Sequence, residues 1–231
     1  MDVVELVIDR DERVGEGGFL AIRRLHLRNR RGDGSLSRPY ICDAIARPYG
    51  QDAVVVAVYA RDPTKKDRRA RAEGKHADEV RVLVREGLRP AIALGRDAAR
   101  APLPEPPPAL RLVELVAGII EEGDRGEAGL RVRAAHEVAE EAGFAVDPAR
   151  VELLGAGMLP SPGCMVEKFY FAAVEVDPAS QRALEGDGSP MEEGARTRWL
   201  ALDDALAACV RGDICDLKTE LGLRRLRDFL K

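Results

Sequence analysis

Residues 118–144 read GIIEEGDRGEAGLRVRAAHEVAEEAGF, and this stretch narrows what the chain can fold into more than any other. Residues three and four apart share a helix face, so Glu137, Glu140 and Glu141 project together. Val132, Ala135, Val138, Ala139 and Ala142 gather on the opposite side, and Gly143 follows where a left-handed cap would end the helix. Carboxylates this close repel one another and oppose helix formation unless a cation sits among them. Hard oxygen ligands on a rigid helix suit Mg²⁺ or Mn²⁺, ions that in turn suit phosphate chemistry. Three glutamates alone describe a solvated helix face at least as well. The wider spacing has to decide.

Composition removes several classes of function. A chain of 231 residues with 45% apolar content suits one generous domain, or a domain with a small appendage. A formal charge of −4 gives no electrostatic reason to expect nucleic acid as a partner. The basic run Lys65, Lys66, Arg68, Arg69 and Arg71 reads as a solvated loop. No apolar run approaches the ~20 residues of a membrane span, and the start Met-Asp-Val-Val-Glu lacks a secretory pattern. Cys42, Cys164, Cys209 and Cys215 show neither metal nor disulfide spacing, so reduced thiols in a cytoplasmic protein are expected. His26, His76 and His136 are too dispersed in sequence to suggest a histidine metal site.

Apolar and β-branched runs predict strands at 3–8, 19–27, 40–46, 53–58, 80–84, 112–116, 151–158, 168–176 and 197–200. The continuous Val-rich run at 53–58 is that of a strand covered on both faces. Residues 61–78 read as a loop or short helix, and 102–108, with five prolines in seven residues, as an exposed connection. Residues 177–195 are polar and glycine-rich, and 203–211 and 218–230 are amphipathic helices. The pattern predicts an α/β fold, with a small β element at 1–48 preceding the main domain at 49–231.

The stretch from Gly118 resembles the box of the Nudix hydrolase family, G-x5-E-x7-R-E-U-x-E-E-x-G-U, where U is a bulky apolar residue. Glu137, Val138, Glu140, Glu141, Gly143 and Phe144 match in register. Asp124 stands where the family has Glu, and His136 where it has Arg. Eleven residues separate these two where the pattern has seven, so residues 125–130 are expected to form a lengthened loop. The resemblance implies an α/β/α sandwich around a mixed sheet. It also implies that His136 is a weak brace for the helix, with Arg133, one turn before Glu137, as a candidate substitute.

A second set of residues is similar to the ADP-ribose and nucleoside-diphosphate-sugar pyrophosphatases within that family. Pro160-Ser161-Pro162-Gly163 occupies the place of their Ser-Pro-Gly turn, with Glu167 at the usual spacing. Residues 84–90, with Arg85 and Arg89, resemble the strand end whose arginine holds substrate, and Asp216, Lys218, Thr219 and Gly222 resemble their C-terminal helix. By resemblance, metal would be held by the Ala117 carbonyl, Glu137, Glu140 and Glu141, and substrate by Arg85, Arg89, Ser161, Gly163 and Glu167. Glu140 and a loop glutamate would serve catalysis, with Glu193 favoured over Glu192 by counting back from the strand at 197.

The activity so implied is Mg²⁺-dependent hydrolysis of ADP-ribose or a related nucleotide sugar to a nucleoside monophosphate and a sugar phosphate, with Mn²⁺ as a possible alternative ion. The competing reading is a non-catalytic sensor of the same ligands, and the three intact carboxylates weigh against it. A nucleoside-triphosphate sanitiser or RNA decapping enzyme fits the Ser-Pro-Gly placement less well. The expected partner is a second copy of the chain, with residues up to about Ala46 contributing to the dimer interface.

Overall fold

A computed structural model describes residues 3–14, 20–47, 51–66, 78–184 and 188–231. The chain divides into two compact units: Met1–Ala53 with Met158–Phe169, and Val54–Gly157 with Tyr170–Lys231. Phe19, His76 and most of the basic run at 65–71 lie outside the described residues.

In the first unit β1 (Val3–Val14), β2 (Ala21–Arg31) and β3 (Tyr40–Ala46) form an antiparallel sheet in that order. Both faces of β2 mix apolar and basic residues, Ile22 with Arg24 on one and Arg23 with Leu27 on the other. Arg24 pairs with Asp43 across β2 and β3, and Arg28 and Arg23 pair with Asp9 and Asp11 on β1. Leu27 is buried, whereas Ile22 and Ile41, on one face, are exposed. The segment at 158–169 docks on β3 through the Ile45 N–H, which donates to the Cys164 carbonyl at 2.7 Å.

The second unit is a mixed α/β layer structure around a seven-stranded sheet. Its strands are β4 (Ala53–Lys66), β5 (Asp78–Leu88), β6 (Arg111–Glu114), β7 (Val116–Ile119), β8 (Glu152–Leu153), β9 (Phe169–Glu175) and β10 (Arg196–Ala201). The main order is β10-β5-β4-β9-β8, with β6 on β5 and β7 on β4. β4 is covered on both faces, as its valines predict. Val54, Val56 and Val58 join a core with Ala134, Ala135 and Val138 of α2 (Gly126–Ala142). On the other face Gly222 of α4 (Leu217–Phe229) packs against Val55, Leu115 and Phe171, where a Cβ would approach Leu115 to 2.6 Å. The remaining α-helices among the described residues are α1 (Pro90–Gly95) and α3 (Leu202–Arg211).

Several local expectations are corrected. Residues 151–158 yield only the two-residue β8, and Arg61 to Lys66 continue β4 rather than starting a loop. The lengthened loop expected at 125–130 is helix from Gly126 onward. Four extra residues are close to one 3.6-residue turn, so the helix absorbs them. Gly126 turns the chain into the helix at φ 67°, and a Cβ at Gly129 would lie 2.4 Å from the Asp124 backbone.

Candidate active site

The added turn moves position 136 away from Asp124 and brings Arg133 to it. Arg133 Nε donates to Asp124 Oδ2 at 2.7 Å, and its guanidinium also reaches Glu121 at 3.0 Å. Asp124 in turn accepts the Glu121 N–H at 3.0 Å, which closes the turn before the helix. His136 plays no part in this brace: it is exposed, with Nδ1 3.4 Å from Glu140 Oε2.

Behind the brace, Glu137 is packed against bare backbone. A Cβ on Gly118 would fall 1.8 Å from its carboxyl carbon, so only glycine leaves room for it there. Glu137 is 9% exposed, and its ion-pair partner Arg133 stands 3.7 Å away, beyond hydrogen-bond reach. Burial, then Glu141 and Glu140, push its pKa up to about 7. Glu141 is better compensated. Its carboxylate accepts the Ala117 N–H at 3.0 Å and lies 3.4 Å from Arg85, although burial still raises its pKa. At the helix end the Gly143 and Phe144 N–H groups donate to the Ala139 and Val138 carbonyls, with Gly143 at φ 76° as its position predicts.

Glu140 and Glu141 open onto a cavity of about 520 Å³ whose other wall includes Arg85, Glu192 and Glu193. Arg85 Nη2 donates to Glu192 Oε1 at 2.8 Å, and its buried Nε has no hydrogen-bond partner among the described residues. Glu192 ends the short 3₁₀ turn Pro190–Glu192 and is half-buried, whereas Glu193 is exposed. That turn is tied down by Arg111 at the start of β6, whose Nη2 donates to the Glu193 carbonyl at 3.1 Å. Arg111 has no neighbouring motif to single it out in sequence; its role comes from contact across 82 positions.

Arg89 ends the strand segment that carries Arg85 and pairs with buried Glu114 at 2.7 Å. Lys218 pairs with the same carboxylate and with Asp216. Asp216 caps α4 by accepting the Thr219 N–H and hydroxyl, and Thr219 Oγ1 accepts the Leu115 N–H at 2.8 Å. Arg89 is therefore tied to α4 through a chain of charges that includes Glu114, which the sequence reading did not single out.

Arg85, Arg89, Ala117, Glu137, Glu140, Glu141, Glu192 and Glu193 thus all belong to the second unit. Ser161, Gly163 and Glu167 belong to the first. There the Ser161 carbonyl accepts the Cys164 and Met165 N–H groups, and buried Glu167 pairs with Arg47 at 2.7 Å.

No family model matches the chain, and no curated protein matches it. Among the described residues no helix is long and apolar enough to cross a membrane. Among solved structures, one described as "Crystal structure of ADP compounds hydrolase" superposes with a TM-score of 0.65 at 15% identity. The match spans 100% of this chain and 96% of that one, so the two share a fold along nearly their whole lengths.

Proposed function

We propose that the chain is a Nudix-type hydrolase that cleaves the diphosphate of ADP-ribose or a related nucleoside diphosphate sugar, giving a nucleoside monophosphate and a sugar phosphate. The observation that carries this reading is the set Glu137, Glu140 and Glu141 on one helix face, two of them opening onto a cavity shared with Arg85. The likeness to a solved ADP compounds hydrolase supports the substrate class.

The residues fit a divalent cation. Glu137 is a buried carboxylate crowded by two others and only partly offset by Arg133 at 3.7 Å, which is the environment a metal ion relieves. Glu137, Glu141, Glu140 and the Ala117 carbonyl would hold Mg²⁺ or Mn²⁺. When bound, the ion supplies charge neutralisation for the diphosphate and a water that ionises near neutral pH. Arg85 brings a guanidinium with an unused buried N–H, suited to a phosphate oxygen, and Arg89 adds a second positive charge. Glu193, exposed and on the cavity wall, would accept a proton from the attacking water or align it. The exposed isoleucines Ile22 and Ile41 support a homodimer through the first unit.

The deciding experiment is a panel of ADP-ribose, ADP-glucose, UDP-glucose, GDP-mannose, NADH and diadenosine polyphosphates with Mg²⁺, read by product chromatography. Release of the nucleoside monophosphate from a diphosphate sugar, stopped by EDTA, is expected. Binding of these ligands without turnover would turn the reading to a sensor.

A further inference from the structure

Helix α2 carries a nitrogen donor beside its oxygen donors. One ring nitrogen of His136 and one carboxylate oxygen each from Glu137 and Glu140 lie within 4.8 Å of one another, a mixed set of three potential ligand atoms. His136 and Glu140 sit one turn apart, the spacing at which two side chains on a rigid helix can grip one ion.

Two further observations bear on what His136 is for. The bracing task is already taken by Arg133, which holds Asp124 at 2.7 Å and Glu121 at 3.0 Å. Glu137 is nine-tenths buried and shares its one described cation: the Arg133 guanidinium stands 3.7 Å from it while it is engaged more closely by Asp124 and Glu121. A neutral imidazole next to such a carboxylate adds donor capacity without adding charge.

We propose that His136 supplies a nitrogen ligand to a divalent cation shared with Glu137 and Glu140, and so tunes this chain toward transition ions such as Mn²⁺ and Co²⁺ relative to Mg²⁺. The proposal rests on the reading of the carboxylate face as a metal site and names the ion class that site takes. Mg²⁺ demands oxygen ligands and gains little from imidazole, whereas first-row transition ions accept it readily. Every N/O site favours Co²⁺ over Mg²⁺ to some degree, so the diagnostic quantity is how far the preference falls when the nitrogen is removed.

The test uses the full chain, stripped of metal, as parent, His136→Gln and Glu137→Gln. Mg²⁺ and Co²⁺ affinities are measured by calorimetry. Mn²⁺-loaded protein is examined by pulsed electron paramagnetic resonance for coupling to an imidazole ¹⁴N. Since losing even an outer-shell partner costs about 10–100-fold in metal affinity, His136→Gln should weaken Co²⁺ by at least about tenfold. Mg²⁺ binding should stay within a few-fold, the ¹⁴N coupling should vanish, and the melting temperature should not move, since the side chain is exposed. Parent-like Co²⁺ affinity in His136→Gln, or no imidazole coupling in the parent, overturns the proposal. Glu137→Gln separates this from the underlying reading. Weakened binding of both ions in that variant leaves the carboxylate site standing even if His136 fails, whereas parent-like binding in it overturns both.

Discussion

Glu140 and Glu141 of α2 face a cavity shared with Glu192 and Glu193 at the turn of Pro190–Glu192, while Glu137 on the same helix packs against Gly118. Helix and turn hold their carboxylates by different means. On the helix, position is set by packing: Glu137 fills the space left by Gly118, and the helix behind it is buried through Ala134, Ala135 and Val138. On the turn, position is set by two guanidinium contacts, Arg85 to the Glu192 carboxylate and Arg111 to the Glu193 carbonyl. Packing fixes a group against every perturbation of charge. An arginine clamp holds only while its partners stay in place, and the contact to Glu192 only while that carboxylate stays ionised. The helix is therefore suited to a permanent ion site, and the turn to a group that adjusts to substrate.

The comparison breaks first at the helix. Glu137→Gln or Glu141→Gln should lower kcat by at least about a hundredfold with the fold intact, since under the proposed function each removes a metal ligand and keeps the side chain's size. Gly118→Ala should match them. Its Cβ would fall on the Glu137 carboxyl group, the far end of a flexible side chain, so the carboxylate moves and the backbone survives. Full Mg²⁺-dependent activity in all three variants, with circular dichroism unchanged, would remove the helix from the mechanism.

At the turn the expected losses are somewhat smaller. Glu193→Gln should lose about a hundredfold in kcat with little change in KM, the pattern of a group that acts mainly in the transition state. Glu192→Gln should stay within a few-fold, because its carboxylate serves Arg85. Arg111→Ala, which frees the Glu193 carbonyl, should cost about tenfold in kcat if Glu193 acts on the water as proposed, in line with misplacement of such a group. A dead Glu192→Gln enzyme beside an active Glu193→Gln enzyme would exchange the two roles. Arg89→Ala should chiefly raise KM, by about tenfold, since an arginine on a phosphate holds ground and transition states alike. An unchanged KM would confine Arg89 to its ion pair with Glu114.

The same contrast explains what could be read from the chain alone. Glu137, Glu140, Glu141 and the Gly143 cap follow from a 3.6-residue period, which is a local property. The Val-rich strand β4 announces its double burial in the same way. The brace was legible only in part: an inserted segment carries no mark of whether it will loop out or extend a helix, and that choice decided between His136 and Arg133. Arg111, and the choice between Glu192 and Glu193, depend on contacts across about eighty or more positions, which no window of sequence contains. Glu114 went unremarked for a related reason. Its neighbours in sequence are ordinary strand residues, and its partners Arg89 and Lys218 come from distant segments.

The smallest effect sharpens the contrast from the side of stability. Glu137 is pushed up to about 7 by burial and by its two carboxylate neighbours, while an unfolded chain would hold it near its ordinary value of 4.5. The folded state therefore binds this proton more tightly than the unfolded state does. The associated stability is fully present below about pH 4.5 and is lost as the pH rises through about 7. Glutamine resembles the protonated side chain and does not titrate. In EDTA, then, Glu137→Gln and the parent should melt together near pH 4, and the variant should melt a few degrees higher near pH 8. Each kcal/mol corresponds to about 2–4 °C for a chain of this size. Adding Mg²⁺ at pH 8 should reverse the order, because under the proposed function the ion stabilises the parent more than the variant. Parallel melting curves across the pH range would mean that Glu137 is less crowded than its packing against Gly118 implies, and that helix and turn hold their carboxylates in the same way after all.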